Sequence, residues 1–249
     1  MVIWKTAKII KKKKWTKRLF SIILHADISP FLAGQFAKLA ILQKNNKYIK
    51  RVYSYVNPPK SKNLEFFITH IPNGIMSKLL YKLIPGDEIL ISKQSSGFFT
   101  IYEIPKCEIL WMFATGTAIG PFCSILQDGS KLDQFEKIII IYAVKYTEEL
   151  IYLPLIKNIQ KKYEKKIIIQ TITSQEKNSS SLQGRIPTLL KNQLIETTVG
   201  HILHPQTSHV MLCGNPAMVK ETQNYLIKHR NLKKHLRRSP GNISSENYW

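Results

Sequence analysis

The sequence predicts two domains of different class, an antiparallel β-barrel over residues 1–102 and a parallel-sheet α/β domain over residues 103–249. In the first part, short runs rich in Ile, Val, Tyr and Phe are separated by Pro, Gly, Asn or Lys, which is typical of closely connected antiparallel strands. In the second part, continuous apolar runs alternate with helical stretches, as strands buried on both faces require. The pattern changes near Pro105.

The barrel is predicted to contain six strands and one helix. The strands are Trp4–Lys11, Leu19–His25, Gln35–Leu42, Ile49–Val56, Leu64–Ile71 and Glu88–Ser92. The run Lys11–Lys14 is expected at a solvated strand end or turn. A helix over Ser77–Leu83 stops before the turn Pro85–Asp87, which leads into the last strand.

The second domain is predicted from four buried apolar runs. These are Ile109–Ala114, Ile138–Val144, Ile167–Ile172 and Val210–Cys213. Helices are expected over Phe122–Gln127 and Pro154–Tyr163, the latter with proline in its first turn. The polar stretch Glu176–Ser181 is interpreted as a loop.

The net charge is strongly positive, at +21, from 37 Lys and Arg against 16 Asp and Glu. Such a field favours an acidic partner. Lys, Ile and Asn are all abundant, as A+T-rich codons would produce, so a functional basic face and compositional drift both stay open. Cys107, Cys123 and Cys213 form no CxxC, which indicates free thiols. No window approaches the ~18 apolar residues of a membrane span, and we expect a cytoplasmic protein.

Two segments of the barrel suit a phosphate-bearing ring compound. In Arg51–Ser54, strand alternation places Arg51 and Tyr53 on one face, where Arg can bind a phosphate and Tyr can stack on a ring. An ordinary half-exposed strand with an ion-paired Arg is the alternative. Gly74–Ser77 suits backbone amides that cradle a pyrophosphate and equally suits a plain helix cap.

Two segments of the α/β domain lie where ligands of parallel sheets bind. The loop Thr115–Pro121 follows a strand and precedes a helix, and its Gly116 and Gly120 let the backbone approach a phosphate. It is not GxGxxG, because Ala118 stands where a glycine is needed. Cys213 ends a strand at the edge where such sheets bind ligands, although a buried packing thiol is the alternative.

Taken together, these motifs resemble the ferredoxin (flavodoxin)–NADP reductases of the bacterial type that ends in an aromatic residue. The resemblance is carried by Phe31–Phe36, Arg51–Val56, Pro85–Asp87, Gly97–Phe99, Ala114–Pro121, Gly184–Pro187, Met211–Pro216 and Tyr248–Trp249. It implies a barrel that binds FAD and an α/β domain that binds NADP. It also implies that NADPH passes a hydride to FAD, which then releases electrons singly to ferredoxin or flavodoxin.

The resemblance assigns roles around the FAD. Tyr53 would stack on the isoalloxazine, Arg51 would meet the pyrophosphate, and Ser54 would lie near the reactive flavin nitrogen. Thr117 would lie at the junction of the two cofactors. The other implied FAD residues are Val52, Phe67, Ile68, Thr69, His70, Ile75, Met76, Ser77, Tyr248 and Trp249, of which the last two would cover the other flavin face.

For NADP, the resemblance places Cys213 beside the nicotinamide. The other implied NADP residues are Val144, Lys145, Ser174, Gln175, Gln183, Arg185, Gly214, Asn215, Pro216 and Glu221. Gln175 stands where an Arg is expected beside the 2′-phosphate, and losing that charge-assisted contact costs on the order of 1.5–3 kcal/mol. NADPH is still the expected coenzyme, and Ser54, Cys213 and Trp249 are the residues expected to be catalytic.

Two other functions stay open. A flavin-dependent NAD(P)H reductase of the same superfamily, with free flavin or another redox protein as acceptor, would share these residues. A nucleic-acid-binding protein would use the positive charge, but the chain has no helix-turn-helix, zinc-finger or aromatic RNA-binding signature and its basic residues are spread along its length. We therefore expect a monomer that holds no metal, binds no nucleic acid and docks with an acidic redox carrier.

Overall fold

The computed structural model describes residues 2–43 and 47–248. Backbone contacts divide the chain into two compact units, Met1–Thr100 with Gly120–Asp128, and Ile101–Ile119 with Gly129–Trp249. The helical segment Gly120–Asp128, which the sequence analysis counted with the second domain, is thus grouped with the first unit. The functional boundary after residue 102 stays a prediction.

The first unit is built from six strands and a short helix. They are β1 (Trp4–Lys14), β2 (Leu19–His25), β3 (Phe36–Leu42), β4 (Tyr48–Ser54), β5 (Leu64–Thr69), α1 (Ile75–Lys82) and β6 (Glu88–Ser92). All strand pairs are antiparallel, in the order β4-β3-β6-β1-β2-β5. An isolated bridge between Tyr55 and Phe66 joins the two end strands and closes the sheet into a barrel, which confirms the predicted fold of this part.

β1 runs further than the sequence analysis expected. The four lysines after Ile10 continue to pair with β2, as far as Lys14 opposite Phe20, so the basic run is part of the strand. A register shift between Ile9 and Lys11 interrupts this pairing once. The alternate residues of the strands fill a common apolar core, as half-buried strands require. Its members include Phe20, Ile22, Leu24, Leu39, Phe66 and Ile91.

The second unit is a parallel sheet with helices. Its strands are β7 (Ile109–Thr115), β8 (Lys137–Val144), β9 (Ile167–Thr173), β10 (Leu182–Gln183), β11 (Ser208–Gly214) and β12 (Ile243–Asn247). Its helices are α3 (Leu153–Lys162), α4 (Ile186–Lys191), α5 (Leu194–Val199) and α6 (Pro216–Arg230). Every pair is parallel, in the order β10-β9-β8-β7-β11-β12, which confirms the predicted class.

The helix α2 (Gly120–Asp128) follows the loop after β7 and packs within the first unit. Ser124 Oγ donates to the Asn57 carbonyl at 2.7 Å, and Gln127 Nε2 donates to the Val56 carbonyl at 2.7 Å. Both acceptors follow β4 directly. These bonds attach the helix to the chain that follows β4, which explains why the helix belongs to the barrel unit.

The last strand, β12, was not predicted. The polar stretch Ser244–Asn247 has no strand-like apolar pattern, yet the chain from Ile243 to Asn247 pairs in parallel with β11. Tyr248 N–H then donates to the Gly214 carbonyl at 2.9 Å. The end of the described chain is therefore held by main-chain bonds rather than frayed.

None of the helices within residues 2–43 and 47–248 has the length and apolar character that crossing a membrane requires.

Candidate active site

The strand β4 presents the residues predicted to meet FAD. Arg51 is exposed, and its Nη1 donates to the Lys50 carbonyl at 2.8 Å. No carboxylate of the described residues lies within ion-pair distance of it. The ion-paired alternative is therefore not what this strand shows, and the guanidinium is available for a phosphate.

Tyr53 and Ser54 follow on the same strand with different surroundings. The Tyr53 ring is half-buried and meets Phe66 edge-on, with centroids 6.5 Å apart. Burial raises the pKa of Tyr53 to about 12, although the Arg51 cation opposes that shift, so the phenol stays neutral. Ser54 is 4% exposed at the end of β4. Val52 is 54% exposed.

The other FAD-lining predictions fall on β5 and α1, and they differ in what their side chains can reach. Ile68 and Met76 pack into the barrel core, so they can offer a cofactor only main-chain atoms. Thr69 and His70 are partly buried, and His70 stacks on Tyr81 with ring centroids 4.4 Å apart. Phe67, in contrast, is buried outside that core cluster.

The amino-terminal end of α1 is compact. Gly74 precedes the helix and provides no capping side chain, while a Cβ there would lie 2.7 Å from Ser77 Oγ. Ser77 Oγ instead accepts the Ile71 N–H at 3.1 Å, which orders the turn before the helix. Ile75 is 58% exposed beside it. Because Gly74 has no side chain, the first-turn amides of α1 are not capped by the residue at the helix start.

The carboxyl ends of β7 and β11 lie where the strand order reverses, which is the usual position of the ligand crevice in such sheets. At this point Asn215 N–H donates to Thr115 Oγ1 at 2.9 Å. Gly214 has φ +150°, and a Cβ there would lie only 2.0 Å from that same oxygen. Asn215 Oδ1 accepts the Ala217 and Met218 N–H groups and so caps α6. The loop that begins at Gly214 is thus held on two sides.

The loop after β7 forms a short 3-10 turn over Gly116–Ile119. Gly116 has φ +57°, and a Cβ there would meet no atom within 4 Å, so its surroundings are open. Thr117 is 7% exposed in this turn. The turn leads directly into α2, as the predicted strand–loop–helix order required.

A buried thiol on β11 and a partly buried carboxyl on β12 lie side by side. Cys213 is fully buried and pairs in register with Ala114 of β7 and with Glu246 of β12. Burial raises the pKa of the Cys213 thiol well above its ordinary value, so the sulfur is neutral. A neutral thiol can pack against a ring but cannot act as a thiolate nucleophile.

Glu246 is a further candidate site residue, and it is not among the residues predicted from the sequence. Its Oε2 is buried and has no hydrogen-bond partner among residues 2–43 and 47–248, and burial raises its pKa to about 7. An unpartnered buried carboxyl beside a ligand crevice is a candidate for proton exchange. Only the pairing of β12 with β11 brings Glu246 next to Cys213, so no local pattern could have indicated it.

The sheet also collects the residues predicted for the phosphate end of NADP. Ser174 N–H donates to the Val144 carbonyl and Gln175 N–H to the Lys145 carbonyl, each at 3.0 Å. Gln183 lies on β10 opposite Thr173. The three polar side chains predicted to surround the 2′-phosphate are all exposed; they are Lys145, Gln175 and Arg185. Residues far apart in the sequence therefore meet at the carboxyl edge of β8, β9 and β10.

The remaining predicted residues lie on α6 or at the end of the chain. Pro216 begins α6 and Glu221 is exposed one turn further along it. Tyr248 is partly buried and bonded to Gly214 through its N–H. Trp249 lies outside the described residues.

Comparison with known proteins agrees with this arrangement. An oxidoreductase FAD-binding domain model matches residues 7–99, and an oxidoreductase NAD-binding domain model matches residues 112–224. The flavodoxin/ferredoxin–NADP reductase of Buchnera aphidicola subsp. Baizongia pistaciae is 55% identical over 249 residues, with 100% of both chains covered. The chain belongs to the flavodoxin/ferredoxin–NADP reductase family. A member of that family from Escherichia coli (strain K12) is 47% identical, again over the full length of both chains.

The family assignment extends to a solved structure. A ferredoxin NADP+ reductase from Neisseria gonorrhoeae, with bound FAD and NADP, superposes with a TM-score of 0.92 at 34% identity, and 98% of each chain is covered. Like other members of the flavodoxin/ferredoxin–NADP reductase family, the chain is an oxidoreductase with an FAD-binding and an NADP-binding domain. Within the described residues, no three His, Cys, Asp or Glu side chains are grouped as a metal site.

Proposed function

We propose that this enzyme transfers electrons between NADPH and ferredoxin or flavodoxin through FAD. The observation that carries the proposal is the crevice at the ends of β7 and β11. There residue 214 must be a glycine, because Thr115 Oγ1 fills the position that a Cβ would take, and a neutral buried thiol precedes it on β11. A neutral surface of this kind suits a flat, uncharged ring such as the dihydronicotinamide of NADPH.

FAD, when bound, supplies the chemistry that converts a two-electron donor into single electrons. On the barrel, Arg51 offers an unpaired guanidinium for the pyrophosphate and Tyr53 offers a half-buried ring for stacking. Ser54, at the buried end of the same strand, is the hydroxyl nearest to these two along β4. These residues fit FAD because one strand presents a cation, an aromatic ring and a hydroxyl in succession.

The coenzyme is proposed to be NADPH rather than NADH. Lys145 and Arg185 are exposed at the carboxyl edge of the sheet, where their charges are free to meet a phosphate. Gln175 lies next to Lys145 at the ends of β8 and β9, and its side chain is uncharged. Two cations favour the 2′-phosphate, and the neutral third position limits that preference.

The electron carrier is proposed to be acidic, because the chain carries a net charge of +21. A positive field raises the encounter rate with a negative partner and lowers it for a positive one. All three cysteines are free, which agrees with a reducing compartment, and we propose the cytoplasm as the location.

Steady-state reduction of several acceptors tests this function. Ferredoxin, flavodoxin and free FMN are compared as acceptors, each with NADPH and with NADH, and ferricyanide serves as a small acceptor that needs no docking surface. We expect kcat/KM with NADPH to exceed that with NADH and both protein carriers to be reduced. Reduction of free FMN but of neither carrier would instead identify a flavin reductase of the same superfamily.

A further inference from the structure

Beyond the main-chain pairing of β7 with β11, a side-chain hydrogen bond joins the two strands at their carboxyl ends. β7 ends at Thr115 and β11 ends at Gly214, and the preceding pair, Ala114 and Cys213, is in register. β7 continues the sheet towards β8 on one side, while β11 continues it towards β12 on the other. The ends of these two strands therefore define the width of the crevice.

The hydroxyl of Thr115 occupies the space beside Gly214. It accepts the Asn215 N–H at 2.9 Å, and it is the atom that a Cβ on Gly214 would meet at 2.0 Å. A Cβ on Gly214 would also lie 3.1 Å from the Thr115 Cβ. The glycine and the threonine are therefore complementary, since the hydroxyl can reach the Asn215 amide only because residue 214 has no side chain.

The opposite side of this loop is anchored by main-chain atoms. The Gly214 carbonyl accepts the Tyr248 N–H at 2.9 Å, which ties the loop to the end of β12. No side-chain substitution removes that bond, whereas substitution of Thr115 removes the bond on the β7 side. Asn215 also caps α6, so a shift of its backbone is transmitted to the first turn of that helix.

We infer that Thr115 is a positioning residue for the nicotinamide, a role that rests on the proposed function. Its hydroxyl holds the Cys213–Asn215 segment at the distance from β7 that the reacting ring requires. Thr115 acts through Asn215 and Gly214 and exchanges no proton or electron. Because small misplacements of a reacting ring slow its reaction steeply, loss of this bond slows flavin reduction much more than it weakens coenzyme binding.

The test compares Thr115→Val, which keeps the shape and loses the acceptor, with Thr115→Ser, which keeps the acceptor. The FAD-loaded enzyme is reduced by NADPH in anaerobic stopped-flow experiments, and binding of adenosine 2′,5′-bisphosphate reports the phosphate end alone. For Thr115→Val we expect a reduction rate about tenfold lower and an unchanged bisphosphate Kd. Thr115→Ser should restore most of the wild-type rate.

Thr171→Val is the matched control. Thr171 is a threonine of β9 whose Oγ1 also bonds a loop, at 3.1 Å from the Ser180 carbonyl, but it does not border the crevice. Its variant should lose some thermal stability and keep the wild-type reduction rate.

Three results would overturn the inference. The first is flavin reduction in Thr115→Val at the wild-type rate, and the second is a Thr115→Ser enzyme as slow as Thr115→Val. The third is a parallel loss of reduction rate and bisphosphate binding in Thr115→Val. The parallel loss would show that Thr115 has a general structural role in the coenzyme domain. If NADPH fails to reduce the wild-type flavin, the proposed function falls together with this inference.

Discussion

Burial of Cys213 determines what this thiol can do. The side chain is fully buried at the end of β11, and its pKa is raised well above the ordinary value by loss of hydration. It is therefore a neutral, polarisable surface beside the crevice rather than a nucleophile. This agrees with a role in the geometry of hydride transfer and argues against acid–base chemistry by the sulfur.

Cys213→Ala should leave FAD bound and slow flavin reduction by NADPH about tenfold, because the nicotinamide loses the surface that aligns it. Stopped-flow absorbance measures the rate. Cys123→Ala is the control, since Cys123 is also a fully buried thiol but lies on α2. Equal rates for Cys213→Ala and the wild type would make Cys213 a packing residue only.

Glu246 makes the stability of the protein depend on pH. Burial raises its pKa from 4.5 to about 7 in the folded chain, so folding favours the protonated acid. The stabilising contribution is complete below about pH 4.5 and is lost as the pH rises through 7. At pH 8 the charged, unpaired carboxylate should cost up to about 3 kcal/mol of unfolding free energy relative to pH 4.5.

Urea unfolding of the wild type and of Glu246→Gln across pH 5 to 8 measures this contribution. The amide does not titrate, so the stability of the variant relative to the wild type should rise with pH over this range. A difference between the two proteins that is constant with pH would contradict the raised pKa.

Gln175→Arg should strengthen the preference for NADPH. Residue 175 follows the end of β9, and its N–H donates to the Lys145 carbonyl. A guanidinium at this position would lie near the Lys145 backbone and could bind the 2′-phosphate. We expect KM for NADPH to fall about tenfold, the equivalent of ~1.4 kcal/mol, and KM for NADH to stay the same. Gln175→Leu is the size control. An equal fall in KM for NADPH and for NADH would show that residue 175 does not face the 2′-phosphate.

At the scale of elements, strands with a clear apolar pattern were predictable and the polar ones were not. β8, with seven consecutive buried apolar residues from Ile138 to Val144, is evident from the sequence. β12 is not, because Ser244 to Asn247 are polar and their strand geometry comes from pairing with β11. The same pairing places Glu246 at the site, so one missed strand accounts for one missed residue.

The attachment of β12 also bears on the prediction that Trp249 covers one face of the flavin. Five consecutive residues of β12 pair with β11, so removal of the last residue should leave the strand in place. Deletion of Trp249 should tighten nicotinamide binding, perturb the flavin spectrum and relax discrimination against NADH, because a stacked indole and the nicotinamide compete for one flavin face. Coenzyme Kd values and flavin spectra of the full-length and truncated enzymes measure this.

A truncated enzyme with unchanged Kd values and spectra would show that Trp249 does not cover the flavin. Tyr248→Phe serves as a control for changes at the chain end, because the Tyr248 bond to Gly214 uses the main-chain N–H and survives the substitution.

At the scale of the whole molecule, the class of each sheet was predictable from the sequence. Which residues of different strands come together at the sheet edges was not. Alternating patterns and continuous apolar runs distinguish an antiparallel barrel from a parallel sheet. The meeting of Lys145 with Gln175, or of Thr115 with Asn215, depends on strand order and register. Those long-range pairings have no local sequence signature. The NADP residues are therefore predicted by family resemblance and not by local sequence patterns.

The proposed function requires that one chain pass electrons from NADPH through FAD to a protein carrier. Anaerobic titration of the purified enzyme follows both transfers, and the released cofactor is identified after denaturation. We expect one FAD per chain, bleached by one equivalent of NADPH and recovered on addition of oxidised flavodoxin or ferredoxin. Release of FMN, or a reduced flavin that neither carrier reoxidises, would contradict it.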